Sequence, residues 1–458
     1  MNNNEAGRRR MSENKLARQL SSRHVQMIAI GGAIGTGLFL GSGTAIHAAG
    51  PALLGLYALA GLVCFFMMRA VGELVLSDTG KSSFIEFIRE YLGERWEFVI
   101  GWTYWLCWES LAMADLTASG IYIKYWFPWI PQWVTALVIV VVLLAFNLLS
   151  VGLFGELESW FSSIKVFAIL ALIVTGVVLL VLHAHVGGQV VTMRNLVNYG
   201  GFAPRGIRGI LVALPMVIFA FTGIEMVGLT SGETAHPQRD IPKAINTLLL
   251  RIALFYVGSM FVLMCIYPWD RVTTTASPFV QVFSALGVKA AAGIINFVVL
   301  TAALSACNST LFSTSRTLFV LAQSNFAPQR MHRTNNRSVP VSALVFSSAI
   351  LLIIVFLNYV LPAKVFSIIS GVATVSFVFV WLALLWCHAK FRQQHAATAF
   401  KMPGYPWTTI LTVIFFVGVL GLLVMQPSTL LALVFAIIWV AALLGGYSLL
   451  KWSRHRLS

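Results

Sequence analysis

The chain reads as an all-α membrane protein of twelve transmembrane helices, on three observations: little charge, long uncharged runs, and basic residues gathered largely on one side. Of its 458 residues, 58% are hydrophobic and only 10% charged. A water-soluble domain carries about 25% charged residues to cover its surface, so lipid must solvate much of this one. No Asp, Glu, Lys or Arg occurs over 25–68, 125–155, 166–193, 252–269, 290–315, 365–389 or 402–450. One helical crossing takes about 20 apolar residues, so the longest runs each hold two, with a turn between. The turns stand at Ala49-Gly50-Pro51 and Gln426-Pro427-Ser428.

Spans are expected near 25–48, 51–76, 97–124, 131–150, 157–182, 209–231, 243–267, 285–320, 339–360, 364–389, 408–426 and 429–450. Twelve spans place both termini on one side. With those termini inside, only Lys124, Arg194, Arg205, Arg208, Arg271, Lys289 and Lys364 of the 31 Lys and Arg fall outside, and Lys165 falls within the membrane. The positive-inside bias therefore favours cytoplasmic termini. It also accounts for the formal net charge of +15 without a nucleic-acid partner. The expected organisation is a cytoplasmic tail over 1–24, a ten-helix core over 25–390, and helices 11 and 12 with a cytoplasmic tail over 391–458. Residues 81–94 alternate Phe84, Phe87, Ile88 and Tyr91 with charges at helical spacing, and read as an amphipathic segment at the cytoplasmic interface. Residues 183–208 form a longer external loop.

Five lone cysteines with no paired spacing suggest neither a disulfide framework nor a zinc site. His183-Ala184-His185 is too small a set for a metal. No metal and no cofactor is expected. The basic Arg8-Arg9-Arg10 has no cleavable apolar segment close behind it, which argues against a signal peptide. Oligomeric state is not legible.

Polar and irregular features inside lipid are the better guide to function. In the first span, Gly31, Gly32, Gly35, Gly37, Gly41 and Gly43 fall within one short stretch. Each weakens a helix by about 1 kcal/mol relative to alanine. One reading is deliberate unwinding, with freed N–H groups to receive a carboxylate and freed carbonyls to receive an amine or cation. The other is close helix packing of the Gly-x-x-x-Gly kind. The clustering favours unwinding. In the sixth span, Gly223 stands beside the intramembrane carboxylate of Glu225. A second break five spans after the first fits a five-plus-five inverted repeat, with spans 1 and 6 as the discontinuous pair. Glu225 could instead be a structural group bonded to a neighbouring helix.

Lys165, in the fifth span, has two readings: it snorkels to the cytoplasmic surface, or its ammonium takes the place of a coupling cation. The third span carries Glu109 and Asp115 on different faces, with Met113 and Asp115 placed toward a substrate path. The eighth carries a polar stripe of Ser305, Asn308, Ser309, Ser313 and Ser315, suited to helix contacts or ion coordination. Arg69 and Glu73, four apart, can pair on one helix face. With Arg316 they could form an inner gate or serve as orientation anchors.

At these residues the sequence resembles the amino acid–polyamine–organocation superfamily, specifically its bacterial amino acid transporter family. The matching stretches are RHVQMIAIGGAIGTGLFLGSG (23–43), AGP (49–51), MRAVGEL (68–74), GWTYW (101–105), FGELESWFSSIKV (154–166), FAFTGIEMVGLTSGET (219–234), IPKAIN (241–246) and VVLTAALSACNSTLFSTSR (298–316). They run in order from residue 23 to about 340. The resemblance implies a leucine-transporter-like inverted repeat and proton symport. It implies that Ala33, Ile34, Gly35, Thr36 and Gly37 lie at the substrate carboxylate. It also implies that Phe219, Ala220, Phe221, Thr222, Gly223 and Glu225 hold the amino group and side chain, with Met113 and Ser305 nearby. Lys165 matches the family's span-5 lysine, which, with Glu225, is implied to couple protons.

SSFIEF, WTYWLCW, Met113-Ala114-Asp115 and INFVVLT look most similar to D-serine/D-alanine/glycine permeases. Import of a small neutral amino acid with protons, across the cytoplasmic membrane of a bacterium, is therefore the expected activity. Proline, aromatic, asparagine and cationic substrates remain alternatives, and Glu109 departs from the close relatives' expected uncharged residue. An embedded enzyme is the other class considered. It would need converging nucleophile and acid/base groups, and the spans offer no such motif.

Overall fold

The structure is a computed structural model. It describes residues 34–457 apart from 82, 149, 150, 230–233, 235, 288 and 336–338, with backbone alone for 151–159, 227, 229 and 453–457. Residues 1–24, Gly31, Gly32 and Ala33 lie outside the described residues.

The described residues are mostly helical. A widened π turn over Gly37–Gly41 leads into α1 (Ser42–Ala49), and α2 (Leu53–Ser77) follows after a corner at Gly50 and Pro51. Next come α3 (Phe84–Leu92), α4 (Glu94–Ile123), α5 (Gln132–Asn147) and α6 (Val151–Val181). A two-stranded hairpin, His185–Val186 with Gln189–Val190, starts the long loop. Then come α7 (Gly206–Phe219), the short α8 (Met226–Leu229), α9 (Pro237–Asn246) and α10 (Leu248–Arg251). A second π stretch, Ile252–Gly258, joins α10 to α11 (Ser259–Ile266). The remainder is α12 (Pro278–Ala285), α13 (Lys289–Gln323), α14 (Val341–Ile350), α15 (Leu352–Val360), α16 (Val365–Gln394), α17 (Trp407–Leu422) and α18 (Pro427–Leu457).

Among the described residues, eight helical runs are long and apolar enough to cross a membrane. The first, Gly37–Ser77, holds 41 residues and turns at the predicted Ala49-Gly50-Pro51 corner. α4 falls outside that set because Glu97, Glu109 and Asp115 lower its apolarity, yet it is buried along nearly its whole length. A helix surrounded by protein need not be apolar all round. α4 packs on α13, α16 and α3, and this group forms the interior. The periphery is the reverse: 83% of the most apolar stretch of α16 is buried, against 11% of that of α18. The boundary expected at 390 falls inside α16.

Within 81–94, Phe84–Leu92 form an amphipathic helix, α3, capped by Ser83 and ended at Gly93, whose φ is 90°. Its apolar side does not face lipid. Phe84 stacks edge-on against Tyr104 and Tyr91 against Phe391, while Cys387 donates to the Phe87 carbonyl. Protein interior outcompetes the bilayer for this face because α4 and α16 already offer an apolar groove.

The expected Arg69–Glu73 pair is corrected by the structure. Glu73 is fully buried and turns to α16 and the segment after it. Its carboxylate lies 2.9 Å from His388 Nε2 and accepts from Arg392 Nη1 (2.7 Å), Thr398 N (3.3 Å) and Met402 N (2.8 Å). Arg69 instead donates to Asn246 Oδ1 (2.9 Å) and to the Lys401 carbonyl, with its guanidinium 3.7 Å from the Phe400 ring. Helical spacing permits the i,i+4 pair, but a buried carboxylate needs several donors, and the end of α16 together with the 395–406 segment brings them. Gly72 makes room for that segment: a Cβ there would stand 2.6 Å from Ile245 and 2.7 Å from Phe400.

Removing a partner from such a buried network costs about 3 kcal/mol. Glu73→Ala is therefore expected to lower the thermal midpoint of the detergent-solubilised protein and to expose residues 395–406 to protease. Unchanged melting and cleavage would refute the clasp.

Candidate functional site

The site is built where α7 stops. α7 holds Pro215, which lacks an N–H, and its regular bonding ends at Phe219. Ala220 to Glu225 follow as irregular turns, with Gly223 at φ 92°, a region that favours glycine. Short local bonds replace the helix ladder, among them Phe221 N to the Ile218 carbonyl (2.9 Å) and Thr222 Oγ1 to the Phe219 carbonyl (2.7 Å). The Ala220 carbonyl, freed by the break, accepts from Tyr256 Oη at 2.8 Å. Tyr256 also stacks on Phe221, with centroids 4.9 Å apart.

The described part of the first glycine stretch lies directly against this break. A Cβ at Gly37 would stand 2.6 Å from Ala220 Cα, and one at Gly41 would stand 2.7 Å from Met216 Sδ. Backbone meets backbone there only because position 37 has no side chain. Gly35 differs, since its Cβ would meet Ala306 Cβ alone, at an ordinary 3.7 Å. α13 therefore faces Gly35 beside the buried Ser305. Thr36, buried between the two glycines, donates its hydroxyl to Asp115 Oδ1 at 2.6 Å.

Of the residues singled out from sequence, Ile34, Gly35, Thr36, Gly37, Phe219, Ala220 and Phe221 gather at this one junction, while Ala33 lies outside the described residues. Thr222, Gly223 and Glu225 occupy the turns behind it. Glu225 is fully buried and accepts from Trp381 Nε1 (3.1 Å) and Tyr104 Oη (3.4 Å). Met113 is buried on α4. Lys165 is fully buried on α6, so its ammonium does not reach the surface in this conformation. It lies close enough to Asp115 for the two charges to interact. Glu109 is buried with neither carboxyl oxygen hydrogen-bonded. Arg316 lies over the Phe312 ring at 3.8 Å and donates to Ser315 Oγ at 3.3 Å.

Tyr256, Trp381 and Tyr104 were not read from the sequence as part of the site. Tyr104 sits in the GWTYW stretch, which was noticed without a role. Tyr256 and Trp381 look like any aromatic residue in an apolar helix until their hydroxyl and indole N–H find partners.

The arrangement offers irregular backbone at a helix break, a hydroxyl–carboxylate pair, and a buried ammonium. Among the described residues here, no nucleophile stands poised beside a base.

Comparison with known proteins agrees in kind. Residues 24–456 match the model of the family described as amino acid permease. An amino-acid permease of Bacillus subtilis (strain 168) is 51% identical over 448 residues, covering 97% of each chain. The D-serine/D-alanine/glycine transporter of Escherichia coli (strain K12) is 43% identical, covering 94% of this chain and 93% of the relative. The aromatic amino acid transport protein of Salmonella typhimurium (strain SL1344) is 41% identical, covering 94% and 95%. A family match over nearly the full length, on a chain of membrane-spanning helices, means that this protein belongs to the amino acid permease family and is a transporter rather than an enzyme.

Proposed function

We propose that this chain imports a small neutral amino acid of the glycine, alanine or serine type, D-isomers included, together with protons across a bacterial inner membrane. The observation that carries this reading is the contact of Gly37 with Ala220, which brings the widened π turn of the first span against the break after α7. Freed N–H groups around Gly35, Thr36 and Gly37 take the substrate carboxylate. Freed carbonyls at Phe219 to Glu225 take its ammonium. Phe219, Phe221 and Tyr256 crowd the junction, which favours a short side chain. The likeness to a D-serine/D-alanine/glycine transporter supports the same class. Likeness to an aromatic amino acid transporter, at nearly equal identity, makes larger substrates the competing reading.

The proposed architecture is twelve helices, ten of them an inverted repeat, with both termini cytoplasmic. Alternating access would rock one half around the fixed site. Lys165 would serve as the coupling group, exchanging its proton as the nearby Asp115–Thr36 pair rearranges around bound substrate. Glu225 would hold the second break through Trp381 and Tyr104. At the inner end, the Glu73 clasp with His388 and Arg392 would close the bundle, with Arg69 and Arg316 as separate anchors.

Three outcomes follow. Proteoliposomes under an inward proton gradient are expected to accumulate labelled glycine or D-alanine, with excess unlabelled D-serine competing better than proline or phenylalanine. Failure of any amino acid to accumulate would sink the importer reading, and stronger competition by phenylalanine would move the substrate to the aromatic class. Lys165→Ala is expected to cut gradient-driven accumulation roughly tenfold, equal to ~1.4 kcal/mol, while counterflow exchange persists. Wild-type accumulation in that variant would remove Lys165 from coupling. Gly37→Ala is expected to weaken substrate binding by at least roughly tenfold, because its methyl group meets backbone, whereas Gly35→Ala keeps a folded protein. Equal binding by wild type and Gly37→Ala, read by calorimetry on purified protein, would show that the close approach is dispensable.

A further inference from the structure

The outermost helix, α18, carries two cavities on its inner flank. The upper one, of about 350 Å³, opens among α4, α16, α17 and α18 and is lined by Thr103, Phe379, Ala436, Val440 and Leu444, nearly all apolar. The lower one, of about 620 Å³, lies between the start of α4 and the end of α18. It is lined by Glu94, Arg95, Tyr447, Ser448, Lys451 and Trp452.

The two follow one antiparallel seam. Trp439 Nε1 donates to Thr103 Oγ1 at 3.3 Å, Tyr447 packs on Phe98 at 5.8 Å, and Lys451 stands with Arg95 at the end. Between the cavities, Gly445 and Gly446 have nothing within 4 Å of where a side chain would begin. From Trp439 to Lys451 the helix rises roughly 18 Å, close to the half-thickness of a hydrocarbon core, roughly 15 Å.

The charge at the lower end is net positive. Glu94 is already paired with Arg89 at 3.1 Å, whereas Arg95 and Lys451 have no carboxylate within 4.0 Å among the described residues. Tyr447 and Trp452 flank them, the residue types that settle at the headgroup level. An apolar cavity above and two unpaired cations beside the cavity below, along one seam about a leaflet long, have the chemistry of an anionic phospholipid: acyl chain above, phosphate below.

We propose that the α4–α18 seam binds one anionic phospholipid, with its chain against Ala436, Val440 and Leu444 and its phosphate between Arg95 and Lys451. The site lies at the edge of the bundle and does not depend on which amino acid is carried.

Native mass spectrometry of the full chain in detergent, titrated with phosphatidylglycerol or phosphatidylethanolamine of equal chain length, tests it. One phosphatidylglycerol is expected to bind more tightly than phosphatidylethanolamine, and soluble glycerol phosphate is expected not to displace it. Arg95→Gln with Lys451→Gln should weaken phosphatidylglycerol by roughly fivefold for each cation lost, whereas Arg95→Lys with Lys451→Arg should keep the preference. Ala436→Phe should reduce both lipids by filling the channel. An unchanged phosphatidylglycerol preference in the double Gln variant, equal binding of the two lipids by the wild type, displacement by glycerol phosphate, or a dimer that forms by expelling the lipid would overturn the proposal. The charge variants lie at the surface and should elute as wild type on size exclusion, so loss of lipid there does not reflect loss of fold.

Discussion

Hydrocarbon supplies no hydrogen bonds, so every backbone group released by a broken helix must find its partner inside the protein or in a cargo. That constraint organises this structure. Breaking α7 after Phe219 frees the Ala220 carbonyl, and Tyr256 reaches across to satisfy it. The turn at Gly223 leaves Glu225 inside the bundle, and Trp381 and Tyr104 bring donors to it from two other helices. Thr36, at the glycine stretch, gives its hydroxyl to Asp115. Each break is therefore tied to helices distant in sequence, and irregular backbone persists at membrane depth only because those helices surround it.

The same logic explains why buried helices can carry polar groups. α4 and α13 carry carboxylates, hydroxyls and amides along their length. α18, facing outward, is almost wholly apolar until its basic end. Protein-facing positions can hold polarity where a partner exists, while lipid-facing ones cannot. Glu73 is the clearest case of a partner assembled from afar. Its donors come from α16 and from the 395–406 segment, which ties the last helices to α2.

Membership in the amino acid permease family accounts for the paired glycine-rich stretches but leaves selectivity to side chains. Relatives of nearly equal identity are named for small D-amino acids and for aromatic ones. If the junction is the substrate site, the residues that crowd it, Phe219, Phe221 and Tyr256, are where that choice would be made.

By itself the sequence determined the solvent and the two stretches that meet at Gly37 and Ala220. Charge scarcity and run length declared a helical membrane protein, because apolar length is a local property. Gly223 beside Glu225 marked the break after α7, because helix propensity is local as well. Tertiary structure decided everything that depends on which helix faces which. Spacing allowed Arg69 to pair with Glu73, but the three-dimensional neighbours of Glu73 are His388, Arg392, Thr398 and Met402. The pattern of α3 read as a segment at the membrane interface, but its apolar side packs on α4 and α16 instead. Lys165 could have snorkelled by its position alone, yet the surrounding helices enclose it beside Asp115. Such contacts join residues separated by tens to hundreds of positions, and no local pattern encodes them.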